Sequence, residues 1–150
     1  MNRAYLILLV ILSSGPAFGE DLGCGVETIP KDQIEYGCGC GFYKETKPEV
    51  KTIMQTEMNF ESPKMYIGGK LVNLTPVKVE NIPDSLKLGD KFSQTYKYND
   101  MEIKFTNTIS FLCPSDSEGG CEVTEFNTVL TFSNKQCKSQ SLKITGDCGC

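Results

Sequence analysis

Residues 101–113 read Met101-Glu102-Ile103-Lys104-Phe105-Thr106-Asn107-Thr108-Ile109-Ser110-Phe111-Leu112-Cys113. Met101, Ile103, Phe105, Ile109, Phe111 and Cys113 share one parity, and polar residues fill most of the other. Asn107 alone interrupts the apolar series. Successive side chains of a strand point to opposite faces, so period two means one face buried and one wet. A helix would space its apolar residues three and four apart, which this segment does not. At about 3.3 Å per residue such a strand would run about 40 Å, so a bend is expected, near Asn107.

Neighbouring segments follow the same logic. Lys91 to Tyr98 is polar and aromatic, and it meets the long strand through Asn99-Asp100, residue types that tolerate the positive φ of a tight hairpin. Gly68-Gly69 lies between Met65-Tyr66-Ile67 and Leu71-Val72, a second hairpin signal. Phe126, Thr128, Leu130 and Phe132 alternate up to a turn at Ser133-Asn134-Lys135, and Leu142 and Ile144 lead a last strand. Thr52 to Met58 reads as a further strand, and 82–90 as a connector between Pro83 and Gly89-Asp90. No amphipathic helix of ten residues, repeat or dividing linker is visible. The expected fold is all-β: a single small antiparallel sandwich or barrel of about six to eight strands, stabilised by disulfides.

The N-terminus carries a different message. Arg3 precedes an apolar run from Ala4 to Leu12, and small residues stand at Ala17 and Gly19. This is the pattern of a secretory signal peptide, residues 1–19, cut after Gly19. Nine apolar residues fall well short of the roughly 20 that a membrane-spanning helix needs. Lipid attachment at Cys24 is disfavoured by Asp21 and by the early end of the apolar run. The expectation is export, to a periplasm or outside the cell, of one cysteine-rich β domain spanning 20–150. No integral membrane segment is expected after cleavage.

Composition narrows the chemistry. Arg3 is the only arginine, so residues 20–150 hold 14 lysines against 19 Asp and Glu, a net charge of −5. An acidic surface without arginine repels nucleic acid and fits a basic protein partner. There is no histidine, which removes Ser-His-Asp and Cys-His catalysis and imidazole metal sites. Gly37, Gly39 and Gly41 alternate with bulky residues and lack the strand-to-helix setting of a phosphate cradle. Tryptophan is absent and most Phe and Tyr fall on core-facing parity, leaving no evident platform for a sugar-cleaving carboxylate pair. An enzyme is not expected, nor a cofactor. Asn73-Leu74-Thr75 matches a glycosylation acceptor, but Pro76 follows it.

All eight cysteines lie in 20–150: Cys24, Cys38, Cys40, Cys113, Cys121, Cys137, Cys148 and Cys150. In an exported chain an even count reads first as disulfides. Cys113 and Cys121 bracket the polar segment 114–120, so a bridge there would clip a hairpin loop. Asp116 and Glu118 in that loop are candidates for contacting a partner. A calcium site from Asp116, Glu118 and Glu122 is a weaker fit, because the loop is shorter than the usual twelve residues.

Cys38-Gly39-Cys40 and Cys148-Gly149-Cys150 each place two sulfurs on one face of an extended chain. If those strands pair antiparallel, four sulfurs converge. Two cross-strand disulfides are the leading expectation, and Cys24 and Cys137 then remain for each other. A four-thiolate zinc site at Cys38, Cys40, Cys148 and Cys150 is the metal alternative, although structural zinc favours Cys-x₂-Cys spacing. A redox dithiol is another, although no nearby cation or helix start lowers a thiol pKa. The functional expectation is a non-catalytic protein that binds another macromolecule, of inhibitor, immunity or envelope-interaction type. The alternatives are a metal or thiol-redox protein using the two triplets, and a structural envelope or surface component.

Overall fold

The structure is a computed structural model and describes residues 19–80, 82, 85–114 and 121–150. Apart from Gly19, the expected signal peptide lies outside these residues, as do Asp116 and Glu118. Among the described residues, eleven strands form one antiparallel sheet: β1 (Asp21–Gly23), β2 (Val26–Glu27), β3 (Gly39–Thr46), β4 (Glu49–Thr56), β5 (Lys64–Ile67), β6 (Lys70–Asn73), β7 (Thr75–Glu80), β8 (Lys91–Tyr98), β9 (Met101–Leu112), β10 (Thr124–Ser133) and β11 (Gln140–Gly149). The order across the sheet is β1-β2-β5-β4-β3-β11-β10-β9-β8-β7, with β6 beside β5. No α-helix occurs among the described residues; single 3₁₀ turns stand at Lys31–Gln33 and Met58–Phe60.

The all-β antiparallel class matches the alternation in the sequence, but the architecture differs from a six-to-eight-strand sandwich or barrel. Two features account for the difference. β1 and β2 are strands of three and two residues, too short to show a period. The run 70–80 is split at Leu74, whose side chain is buried and whose N–H donates to the Pro63 carbonyl at 2.8 Å. Its first half, β6, pairs with β5 and its second half, β7, with β8. These halves are adjacent in the chain yet belong to opposite flanks of the sheet, so the sheet rolls up without closing its ladder. Both flanks feed one core, with Ile53, Met65 and Val72 from one side meeting Tyr96, Ile103 and Leu130 from the other.

In β9, Met101, Ile103, Phe105, Asn107 and Ile109 all point inward. The expected break near Asn107 is displaced to Ser110. Ile109 pairs with Phe126 and Phe111 with Glu125, leaving Ser110 as the extra residue of a bulge. One extra residue inverts parity. Phe111 therefore turns outward and is 40% exposed, while Leu112 packs against a small aromatic cluster of Phe92, Ile109 and Phe126.

Asn107 keeps its inward place because its amide is satisfied. Its Nδ2 donates to Gln94 Oε1 at 3.1 Å, and Thr128 Oγ1 donates to its Oδ1 at 2.8 Å. All three residues are buried, and hydrogen bonding is the condition on which polar groups are tolerated in a core. Gln94 Nε2 and the Tyr96 hydroxyl, both buried, have no hydrogen-bond partner among the described residues. Burial pushes the Tyr96 phenol above its ordinary pKa.

Candidate functional site

The two Cys-Gly-Cys triplets lie at the start of β3 and the end of β11, which the chain separates by about a hundred residues and the sheet makes neighbours. Their register sets Cys40 opposite Cys148 and Gly39 opposite Gly149. Cys40 is bonded to Cys148, with Cα atoms 4.0 Å apart, and Cys38 to Cys150, with Cα atoms 4.1 Å apart. Cys113 is joined to Cys121 at the β9–β10 connection, and Cys24 to Cys137. All eight cysteines are thus disulfide-bonded. Thiolates for a zinc site would exist here only after reduction. No group of three or more metal-ligating side chains is poised around a common point among the described residues.

The glycines of these segments have a packing reason. A Cβ on Gly39 would stand 2.5 Å from the Thr56 carbonyl oxygen of β4. A Cβ on Gly41 would collide with the Tyr43 hydroxyl, because that ring lies back across the glycine. This posture brings Tyr43 Oη to Asp147 Oδ1, 3.2 Å away. Burial first, and then the Asp147 carboxylate, push the Tyr43 phenol up to about 12.

Beside the paired triplets opens a cleft of about 350 Å³. The segment before β3 forms one wall and is clamped to the sheet. Glu35 N–H donates to Gln55 Oε1 at 3.0 Å, and Gln55 Nε2 donates back to the Glu35 carbonyl at 2.8 Å. Lys64 Nζ donates to both Glu35 carboxylate oxygens, at 2.7 and 2.8 Å. Next to this clamp, Tyr36 is 88% exposed at the cleft rim. Glu57 and Asp147 add further carboxylates, and Lys64, already paired, is the one lysine in the lining among the described residues.

The stem of the Cys113–Cys121 loop reaches the same place. Val123 lines the cleft, and its N–H points to Cys113 Sγ at 3.0 Å. Three of the four bridges therefore gather at one end of the sheet, above the cluster of Phe92, Ile109 and Phe126 against which Cys148 also packs. Sequence reasoning singled out the sulfurs but missed Glu35, Tyr36, Gln55 and Lys64. These come from three separate segments and share no local pattern.

A second exposed feature lies on the flank. Val77, Val79, Ile82, Leu86 and Leu88 are all exposed on and after β7, which among the described residues pairs only with β8. Pro76, Lys78 and the bulge between them blunt that edge against a further strand, a usual protection of open sheets. No helix among the described residues is long and apolar enough to cross a membrane. Compared with protein-family models, curated proteins and solved structures, the chain finds no match.

Proposed function

We propose that this chain is exported and works as a disulfide-stabilised β-domain that binds another macromolecule without catalysing a reaction, as an inhibitor, immunity factor or envelope-interaction protein does. The observation that supports this reading is the gathering of three disulfides around one clamped cleft. Fixing a surface before the partner arrives avoids about 0.5–1.5 kcal/mol for each side chain that would otherwise be ordered on binding. Tyr36 offers a large exposed aromatic face, a residue type favoured at binding hot spots. Beside it, the carboxylates of Glu57 and Asp147 suit a basic side chain from the partner, which Tyr36 would also attract through its ring. The Cys113–Cys121 bridge closes at this end, and Asp116 and Glu118, between those cysteines in the chain, are further candidates for the contact.

Two experiments test the proposal. N-terminal sequencing of native material is expected to begin at Glu20; an uncleaved Met1 would refute the export step. Cross-linking in the native compartment, followed by affinity measurement on the captured partner, tests the surface. Tyr36→Ala and Asp147→Lys are expected to weaken binding about tenfold each or more, equivalent to about 1.4 kcal/mol, with circular dichroism unchanged. Undiminished affinity in both variants would remove the cleft from the proposal. A variant with residues 114–120 replaced that still held every partner would remove the loop.

A further inference from the structure

The four bridges differ in how they meet solvent. Cys40 is 4% exposed, and its bridge to Cys148 sits within the β3–β11 ladder. Cys24 and Cys137 are each half-buried, and Cys113 is half-buried against an exposed Cys121. Cys38 and Cys150 are both exposed. They also lie just outside the ladder, Cys38 before Gly39 and Cys150 after Gly149, where β3 begins and β11 ends. Breaking this outer bridge therefore costs no backbone pairing, and Cys40–Cys148 still holds the register two residues away.

Approach to the outer bridge is open. Gly37 precedes Cys38, and a Cβ placed on Gly37 would meet nothing within 4 Å. The cleft gives access from the other side: all four triplet cysteines line it, and of these Cys38 and Cys150 are the exposed pair.

We propose that Cys38–Cys150 is a thiol-exchange site and that Cys40–Cys148 is its structural guard, an inference independent of the binding reading above. An external thiolate, from a low-molecular-mass thiol or from the dithiol of an exported oxidoreductase, attacks one sulfur of the outer bridge. A bond forms between the attacking sulfur and that cysteine, the Cys38–Cys150 bond breaks, and the other cysteine leaves as a thiolate. A second thiol of the reductant then attacks the mixed disulfide. This oxidises the reductant to its own disulfide and leaves Cys38 and Cys150 as a dithiol. Exchange needs access to the attacked sulfur, and the inner bridge offers less of it, since Cys40 is buried and Cys148 half-buried.

The test is partial reduction of the folded wild-type protein with graded glutathione, followed by acid quench, alkylation and peptide mapping. Cys38 and Cys150 are expected to become labelled or glutathionylated about tenfold faster than any other cysteine, while circular dichroism stays native. The proposal is overturned if another bridge opens at the same rate or sooner, or if no bridge opens until the fold is lost. A Cys38→Ser/Cys150→Ser variant is expected to take up glutathione at least about tenfold more slowly under the same conditions; adducts at its remaining cysteines as fast as wild type forms them at Cys38 and Cys150 would also overturn it.

Discussion

The two ends of the sheet draw on disulfides and ion pairs in different proportions. At one end, Cys38–Cys150, Cys40–Cys148 and Cys113–Cys121 gather around the cleft. At the other, Cys24–Cys137 is the single bridge, its Cys137 N–H held by Asn134 Oδ1 at 2.7 Å in the β10–β11 turn. Ion pairs supplement it there: Glu20 bridges Lys44 at 2.8 Å and Lys51 at 2.9 Å, and Lys31 meets Glu49 at 3.1 Å. More bridges do not make the first end proportionally firmer. Cys38–Cys150 and Cys40–Cys148 span nearly the same length of chain, with separations of 112 and 108. Once either is closed, the other restrains only a few residues, so each is the other's spare. Cys24–Cys137 has no spare.

This comparison yields a ranked set of expected outcomes. The largest effect belongs to the sparsely bridged end. With the triplet bridges intact, Cys24–Cys137 closes a ring made of the 16 steps from Cys24 to Cys40 and the 11 from Cys137 to Cys148. Chain-entropy loss for a ring of that size is roughly 3–4 kcal/mol. Thermal unfolding of Cys24→Ser/Cys137→Ser is expected to fall by roughly 10–15 °C. Removing both triplet bridges together should cost about as much, by the same ring.

Asn107→Ala comes next, at about 2–3 kcal/mol by denaturant titration. It strands Gln94 Oε1 and Thr128 Oγ1 in the core between the two ends, and each buried unpaired group costs about 1–3 kcal/mol. Cys38→Ser/Cys150→Ser should cost about 2 kcal/mol or less, because with the inner bridge closed the outer one adds a ring of only a few residues. A loss near 3 kcal/mol in that variant would break the idea of redundancy.

The sparsely bridged end also carries an acid-sensitive pair. Lys44 and then Lys51, hydrogen-bonded to Glu20, hold its carboxyl at about 2 against an ordinary 4.5. A depressed folded-state pKa contributes stability above the ordinary value that is lost as pH falls toward the folded one. Wild type is therefore expected to lose stability relative to Glu20→Gln between about pH 5 and pH 2. The groups are partly exposed and screened, so the loss should stay within about 1 kcal/mol and shrink in salt. The smallest effect is reserved for Phe111→Ser, under about 0.5 kcal/mol. Ile109→Ala, on the other side of the Ser110 bulge, should cost about 2–4 kcal/mol. Equal losses at the two positions would refute the change of parity.

Much of the strand pattern was open to reading. The alternation from Met101 to Ile109 and from Phe126 to Phe132 reports burial directly, and Asn99-Asp100 and Gly68-Gly69 mark turns where the backbone takes positive φ. β3 was less visible, because Gly39 and Gly41 fill the positions where alternation would show. β7 escaped because nearly all of it faces solvent. Of the cleft, the sulfurs stood out by residue type, whereas Tyr36 and the Glu35–Gln55–Lys64 clamp carried no such mark.

By itself, the sequence determined the β class, the inward and outward faces of the longest strands and the acidic, histidine-free chemistry. These follow from residue types and from a side-chain period that every strand shares. The pairing of β3 with β11, the shift of the bulge to Ser110 and the rolling of an eleven-strand sheet were decided by tertiary structure. Each depends on which distant segments meet, and a contact between residues a hundred positions apart leaves no periodic trace in either one.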